Sequence, residues 1–349
     1  MPEITEAELK KQIEKSSFSR LYLLHGEEKY LIDFYAKKLT AKAGGKVFPD
    51  FNLQQFDDTA SIDEIASAVE ALPFMAECKC VAVSDLNVES LRAQEAAKLE
   101  ELVKNIPDST VLVIYLPSIE IDYKVNKKWK KFIGLANEAG VTVQIKKRSN
   151  PDLEKALCSA AGKRGCELSR QNAGRIVRYC GNSMQTLFNE LEKLCAYVKE
   201  GEITAQTIDQ LVVKNLEARV YDLSKAIVSG DYDRAYRVLD LLFQQNEEPV
   251  SVLAVLSSAY IDMYRVRMSV QGGFGATEPA KYFDYARKEF RLTNAERDGA
   301  RLTTYMLRQS LRALLQADTA LKGARGDRRI VMEKLIAELL LIAEKERTA

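Results

Sequence analysis

The sequence predicts an α/β domain followed by all-helical ones. Three observations carry this. Short, fully apolar runs alternate with helical stretches as far as Ile145, and no convincing strand follows Asp152. The 349 residues also exceed one ordinary core, so two or three domains are expected. An apolar fraction of 46% and a charged fraction of 29% are those of a globular chain, not a disordered or fibrous one.

Thr5-Glu6-Ala7-Glu8 is a capping box opening a helix that runs to Lys15. Leu21-Tyr22-Leu23-Leu24, closed by Gly26, reads as a buried strand. A helix from Tyr30 to Ala43 ends at Gly44-Gly45, and Phe51 to Phe56 reads as strand. Ser61-Ile62-Asp63-Glu64 is a second capping box. Ile62, Ile65, Val69 and Leu72 then recur on one helical face until Pro73 stops the run. Strands at Cys80–Val83, Thr110–Tyr115 and Val141–Ile145 alternate with helices at Val88–Asn105 and Asn126–Ala139. Apolar strands between helices imply a parallel sheet covered on both faces.

Lys146-Lys147-Arg148-Ser149-Asn150-Pro151 reads as a linker. Beyond it, helices at 152–164, 169–180 and 183–198 make a small bundle, with Ser169 capping the second and Gly181 ending it. After Thr204 to Val212 comes a larger helical region, with helices at Tyr221–Val228, Tyr232–Gln244, Pro249–Met268, Asn294–Leu315 and Arg329–Lys345.

Several function classes are disfavoured by composition. The formal charge of +1 means that any nucleic-acid site must be a local patch. No uncharged apolar run reaches membrane-spanning length, and the acidic start lacks a signal-peptide core, so a cytoplasmic protein is expected. Six cysteines form no Cys-x-x-Cys pair and only one histidine, His25, is present, which argues against structural zinc. The cysteines read as reduced, mostly buried small hydrophobes.

In a doubly wound sheet the turn after the first strand is the natural phosphate cradle. Here it reads His25-Gly26-Glu27-Glu28-Lys29-Tyr30, with one glycine and two adjacent carboxylates, and no Gly-Lys-Ser/Thr occurs in the chain. Lys29 is the only residue of the turn that favours an anion. Asp85, the lone carboxylate after the strand at Cys80–Val83, reads as a turn residue, and His25 as an ordinary strand-end residue. Catalysis is therefore not expected, and no catalytic residue, cofactor or metal ligand is assigned.

The order of parts, together with several stretches, resembles the delta subunit of bacterial DNA polymerase III, the clamp-loader component. Tyr22-Leu23-Leu24-His25-Gly26-Glu27-Glu28-Lys29-Tyr30-Leu31-Ile32 is similar to the family's opening strand, acidic turn and helix. Leu72-Pro73-Phe74-Met75-Ala76-Glu77, leading into the next strand, is similar to its clamp-binding segment. Asn189-Glu190-Leu191-Glu192-Lys193-Leu194 matches a stretch of its second domain. Tyr221-Asp222-Leu223-Ser224-Lys225-Ala226-Ile227, Gly230-Asp231, Ala317-Asp318, Leu321-Lys322-Gly323 and Glu333-Lys334-Leu335 resemble its third. One departure is Cys78-Lys79-Cys80, where the family more often shows one or two basic residues.

The resemblance implies an AAA+-like α/β domain without a phosphate loop at 1–147, a small helical lid at 148–212, and a helical collar at 213–349. It implies no ATP hydrolysis by this chain, although the holoenzyme it would join is a DNA-directed DNA polymerase. The implied partners are the sliding clamp (beta subunit), gamma/tau and delta-prime type subunits in a five-membered ring, and primed DNA. Leu72, Pro73, Phe74 and Met75 would bind the clamp. Leu72 continues the helical stripe, so core packing and contact both stay open for it; Phe74 and Met75 lie off the stripe, past Pro73, as exposed anchors. For DNA, residues 281–329 hold twelve Lys/Arg against six Asp/Glu, and Lys322, Arg325, Arg328 and Arg329 lie on a glycine-loosened loop suited to phosphate contact. An ordinary solvated, ion-paired face is the competing account. The Glu190/Glu192/Lys193 group reads as structural, with its charges facing solvent. Two other readings stay open on the residues alone: a helical adaptor or scaffold unrelated to replication, and an active ATPase with an atypical phosphate loop.

Overall fold

The computed structural model describes residues 3–44, 48–121, 126–285, 290–323 and 327–344. It divides into two compact units, Met1–Arg148 and Ser149–Ala349.

The first unit contains helix α1 (Glu6–Lys15), strand β1 (Leu21–Gly26), α2 (Lys29–Ala43), a short α3 (Pro49–Asn52), β2 (Leu53–Phe56), α4 (Ile62–Glu70), β3 (Lys79–Ser84), α5 (Ala93–Lys104), β4 (Thr110–Tyr115), α6 (Lys127–Ala139) and β5 (Val141–Ile145). Both capping boxes form. The Thr5 hydroxyl accepts from the Glu8 amide while the Glu8 carboxylate accepts from the Thr5 amide, and Ser61 and Glu64 repeat the exchange. Each box satisfies amides that the first helical turn leaves without partners.

The five strands are all parallel, in the order β2-β3-β4-β1-β5. Leu21, Tyr22, Leu23 and Leu24 of β1 are completely buried, as expected for a central strand covered on both faces. This order places β1 between β4, which comes earlier in the chain than β5, and β5. The carboxyl ends of β1 and β4 therefore flank the crevice in which such sheets usually take ligands.

The second unit contains α7 (Asn150–Gly162), β6 (Cys166–Glu167), α8 (Arg170–Cys180), α9 (Met184–Val198), β7 (Gly201–Glu202) and α10 (Ala205–Leu211). Then follow α11 (Leu216–Ser229), α12 (Tyr232–Gln244), α13 (Pro249–Gln271), a 3₁₀ turn (Glu278–Lys281), α14 (Phe290–Asp298), α15 (Thr304–Lys322) and α16 (Arg328–Glu344). The helices from α11 onward share one core, centred on residues such as Leu223, Leu239, Leu256 and Leu307.

Five expectations are corrected. Residues 51–56 are not all strand, because Pro49 starts a helical turn that ends at Asn52. The helix expected from Val88 begins only at Ala93, because Asn87 closes a turn by accepting from the Glu89 amide. Asn294–Leu315 is two helices, because the chain breaks at Gly299 and Thr303 caps a new start through the Met306 amide. Strand pairing does occur after Asp152, as the two-residue parallel ladder of β6 and β7. The expected linker is also shorter, since Ser149 is the N-cap of α7 and Pro151 lies in its first turn.

Candidate functional site

At the carboxyl end of β1 the backbone folds onto its neighbour. Gly26 has φ +137°, a conformation that suits glycine, and a side chain there would meet the Ile145 carbonyl at 2.2 Å. The Glu27 and Glu28 amides both donate to that carbonyl, at 2.9 and 3.3 Å. These are the amides that would otherwise face an anion at the start of α2. Lys29 is likewise engaged. Its ammonium donates to the Ile119 carbonyl at 2.6 Å, and burial lowers its pKa against the opposing pull of Glu120 and Asp85.

Asp85 does more than close a turn. At φ +52°, its carboxylate accepts from the Ser118 and Ile119 amides at 2.8 and 3.1 Å, pinning the loop after β4 over the crevice. Burial pushes the Glu28 carboxyl up, opposed by Lys147 and Arg148. It also lowers His25 to about 4, so the imidazole is neutral at pH 7. The Glu27 and Glu28 amides, the Lys29 ammonium and the Asp85 carboxylate beside the crevice are thus engaged by the protein's own hydrogen bonds.

At the opposite end of the strands, the crossing from α4 into the amino end of β3 is built in the opposite way. α4 stops at Glu70, two residues earlier than its apolar stripe would allow. Its last carbonyls are taken by the neighbouring strands: the buried Lys79 ammonium donates to Ala68 O, and the buried Thr110 hydroxyl to Val69 O at 3.0 Å. Leu72 therefore leaves the stripe and is 85% exposed, while Phe74 is 46% and Met75 75% exposed. Pro73, between them, is half-buried. All four expected contact residues lie on one short tip.

The tip's backbone is held from within. Asn52, completely buried, brackets Phe74: its Oδ1 accepts from the Phe74 amide at 2.7 Å, and its Nδ2 donates to the Phe74 carbonyl at 2.9 Å. Met75 sits at φ +48°, a left-handed conformation that costs a non-glycine residue about 1–3 kcal/mol. The Phe74 ring packs against Phe51 at 5.0 Å and Phe48 at 5.5 Å between centroids. Patterning in the sequence missed Phe48, Phe51 and Asn52. Phe48-Pro49-Asp50-Phe51, two aromatic residues around a proline turn, was the available signal.

Residues 22–142 match the family model of the DNA polymerase III delta subunit, and residues 217–339 match that of its C-terminal domain. The chain belongs to the DNA polymerase III delta-subunit family. It is 22% identical to DNA polymerase III subunit delta of Bacillus subtilis, over 96% of this chain and 97% of that protein. A probable DNA polymerase III subunit delta of Aquifex aeolicus is also 22% identical, over 75% of this chain and 76% of that one. The solved structure of a Bacillus subtilis DNA clamp loader delta protein shares the fold, with a TM-score of 0.59 at 21% identity, over 96% of this chain and 99% of that one.

On this family member the basic stretch is paired with its own carboxylates. Lys322 bonds Asp318 at 2.6 Å, and Arg328 lies 3.7 Å from Glu248. Arg329 bridges Asp240 and Glu333 at 2.6 and 2.7 Å, with its guanidinium over the Phe243 ring. Arg325 lies outside the described residues. In the delta-like stretch of α9, Leu191 and Leu194 are fully buried as expected. Glu190, however, does not simply face solvent: it is half-buried, pairs with Lys193 at 2.6 Å and accepts from the Val213 amide at 3.4 Å. Among the described residues no helix is long and apolar enough to cross a membrane.

Proposed function

We propose that this chain is the clamp-loader subunit that binds the sliding clamp and holds it open for loading onto primed DNA, without hydrolysing ATP itself. The observation that carries the reading is the tip, where Leu72, Phe74 and Met75 present apolar area on a backbone already fixed by Asn52. A preorganised apolar projection fits a hydrophobic pocket on a protein partner and spends little binding energy on ordering itself. Full burial of a large apolar side chain is worth about 1.5–3 kcal/mol, and most of the unburied area lies on Leu72 and Met75. Such energies support binding but do not force a ring apart, so opening requires the tip to fit the opened clamp better than the closed one.

The same reading places the chain in the cytoplasm, in a five-membered ring with gamma/tau and delta-prime type subunits. Within it, 148–212 is a lid and 213–349 the collar that joins those neighbours. Contact with the DNA backbone by Lys322, Arg325, Arg328 and Arg329 belongs to it as well. The carboxylate partners of Lys322, Arg328 and Arg329 set the cost, because each must be exchanged for phosphate.

The test is titration of the purified chain with the purified sliding clamp. Phe74→Ala is expected to weaken binding at least about tenfold with an unchanged melting temperature. Unaltered affinity would remove the tip from the interface, and ATP turnover by the isolated chain would overturn the non-hydrolysing role.

A further inference from the structure

The clamp-binding reading assigns four consecutive residues, yet the tip is wider than they are. Phe48 and Phe51, from the short α3 and the residue before it, are 47% and 63% exposed and stand in ring contact with Phe74 and with each other. Three phenylalanines gathered at one exposed point are costly in water and mark a surface that another molecule covers. Local folding does not account for the gathering. Phe48 lies in the left-handed region at φ +48°, as Met75 does, so the backbone is strained on both sides of the cluster to bring the rings together.

Asn52 explains how two segments separated by about twenty residues of chain stay in register. Among the described residues no strand pairs with Phe74. Instead, one buried side-chain amide supplies both the acceptor for its N–H and the donor for its carbonyl, as a neighbouring strand would. Asn52 ends the turn that carries Phe51, so the same residue locks the two halves of the tip to each other.

We propose that Phe48 and Phe51 form a second half of the clamp-binding surface, and that Asn52 is the positioning residue holding that half against Phe74. The partner is the sliding clamp, taken over from the reading above, on which this inference rests. The surface required on the clamp is then broader than a socket for one or two side chains: a pocket for Leu72, Phe74 and Met75, with an apolar rim that Phe51 and Phe48 cover.

Clamp titrations with the full-length chain test this. Phe51→Ala and Phe48→Ala are each expected to weaken binding about three- to tenfold at unchanged melting temperature, since both side chains are largely outside the core. Asn52→Ser, whose shorter hydroxyl cannot serve both groups of Phe74, is expected to cost about tenfold in the affinity of the folded protein and little more once Phe74→Ala is present. A merely structural Asn52 would lower the melting temperature and leave that affinity unchanged, or would act equally in both backgrounds; either outcome overturns the positioning role. Should Asn52→Ser not fold, hydrogen exchange at the Phe74 amide of the wild-type chain decides. Slow exchange is expected, and the rate of an open loop overturns the role. Full affinity in both Phe48→Ala and Phe51→Ala, with Phe74→Ala still defective, sinks the wider surface alone. Full affinity in all three sinks the clamp-binding reading with it.

Discussion

The turn after β1 and the crossing from α4 to β3 lie at opposite ends of one parallel sheet, at the carboxyl end of β1 and the amino end of β3, and they treat their polar and apolar groups in opposite ways. At the turn and beside it, polar groups are engaged internally: the Glu27 and Glu28 amides on Ile145, the Lys29 ammonium on Ile119, and the Asp85 carboxylate, after β3, on the loop after β4. At the crossing the backbone is consumed, by Asn52, Lys79 and Thr110, while the apolar side chains are left over. An anion cradle needs unspent amides; a tip that docks on a protein needs spent amides and unspent apolar area. The same inventory of hydrogen bonds therefore separates the two kinds of site before any partner is considered.

The contrast can be broken most severely at Gly26. Gly26→Ala places a methyl against the Ile145 carbonyl in a backbone conformation hostile to side chains, and is expected to cost about 3 kcal/mol or more of stability. Urea denaturation reads this, and clamp affinity of the remaining folded protein should not change. The converse is expected at the tip. Leu72→Ala and Met75→Ala should each lower clamp affinity about tenfold while stability stays within about 0.5 kcal/mol.

A smaller effect sharpens the sealed end. His25 is held neutral, at about 4 against an ordinary 6.5, so its contribution to stability is complete above pH 6.5 and is lost as pH falls toward 4. Denaturation at pH 6.5 and 5.5 should differ by about 1 kcal/mol from this group, and His25→Gln should flatten that slope. The smallest effect is expected in the second unit. Arg329→Ala removes exposed ion pairs to Asp240 and Glu333 and should leave the melting temperature almost unchanged.

Much of this architecture was legible from local pattern. The two capping boxes, the buried strand at Leu21–Leu24 and the missing glycines after it depend on residues close in sequence, where spacing and chemistry act directly. Leu72 shows where pattern alone stops. Its helical spacing continues past Glu70, but the constraint imposed by Pro73 on the residue before it prevails, and the side chain turns outward. The division at Gly299 was missed because one glycine within an apolar pattern resembles a tolerated helical residue. Asn52 was out of reach for a different reason. A buried amide that satisfies a peptide group 22 positions away leaves no periodic trace, and only the assembled sheet brings the two together.

The bonds at the end of α4 have a mechanical consequence. Because Ala68 and Val69 are tied to the first residues of β3 and β4, the helix cannot unwind from that end without breaking buried contacts with the sheet. A load applied at Phe74 is passed through Asn52, Lys79 and Thr110 into the strands, where parallel hydrogen bonds share it, rather than being absorbed by a slack segment. On the proposed clamp-binding role the projection is a stiff lever, and displacement of the clamp follows the motion of the whole α/β body.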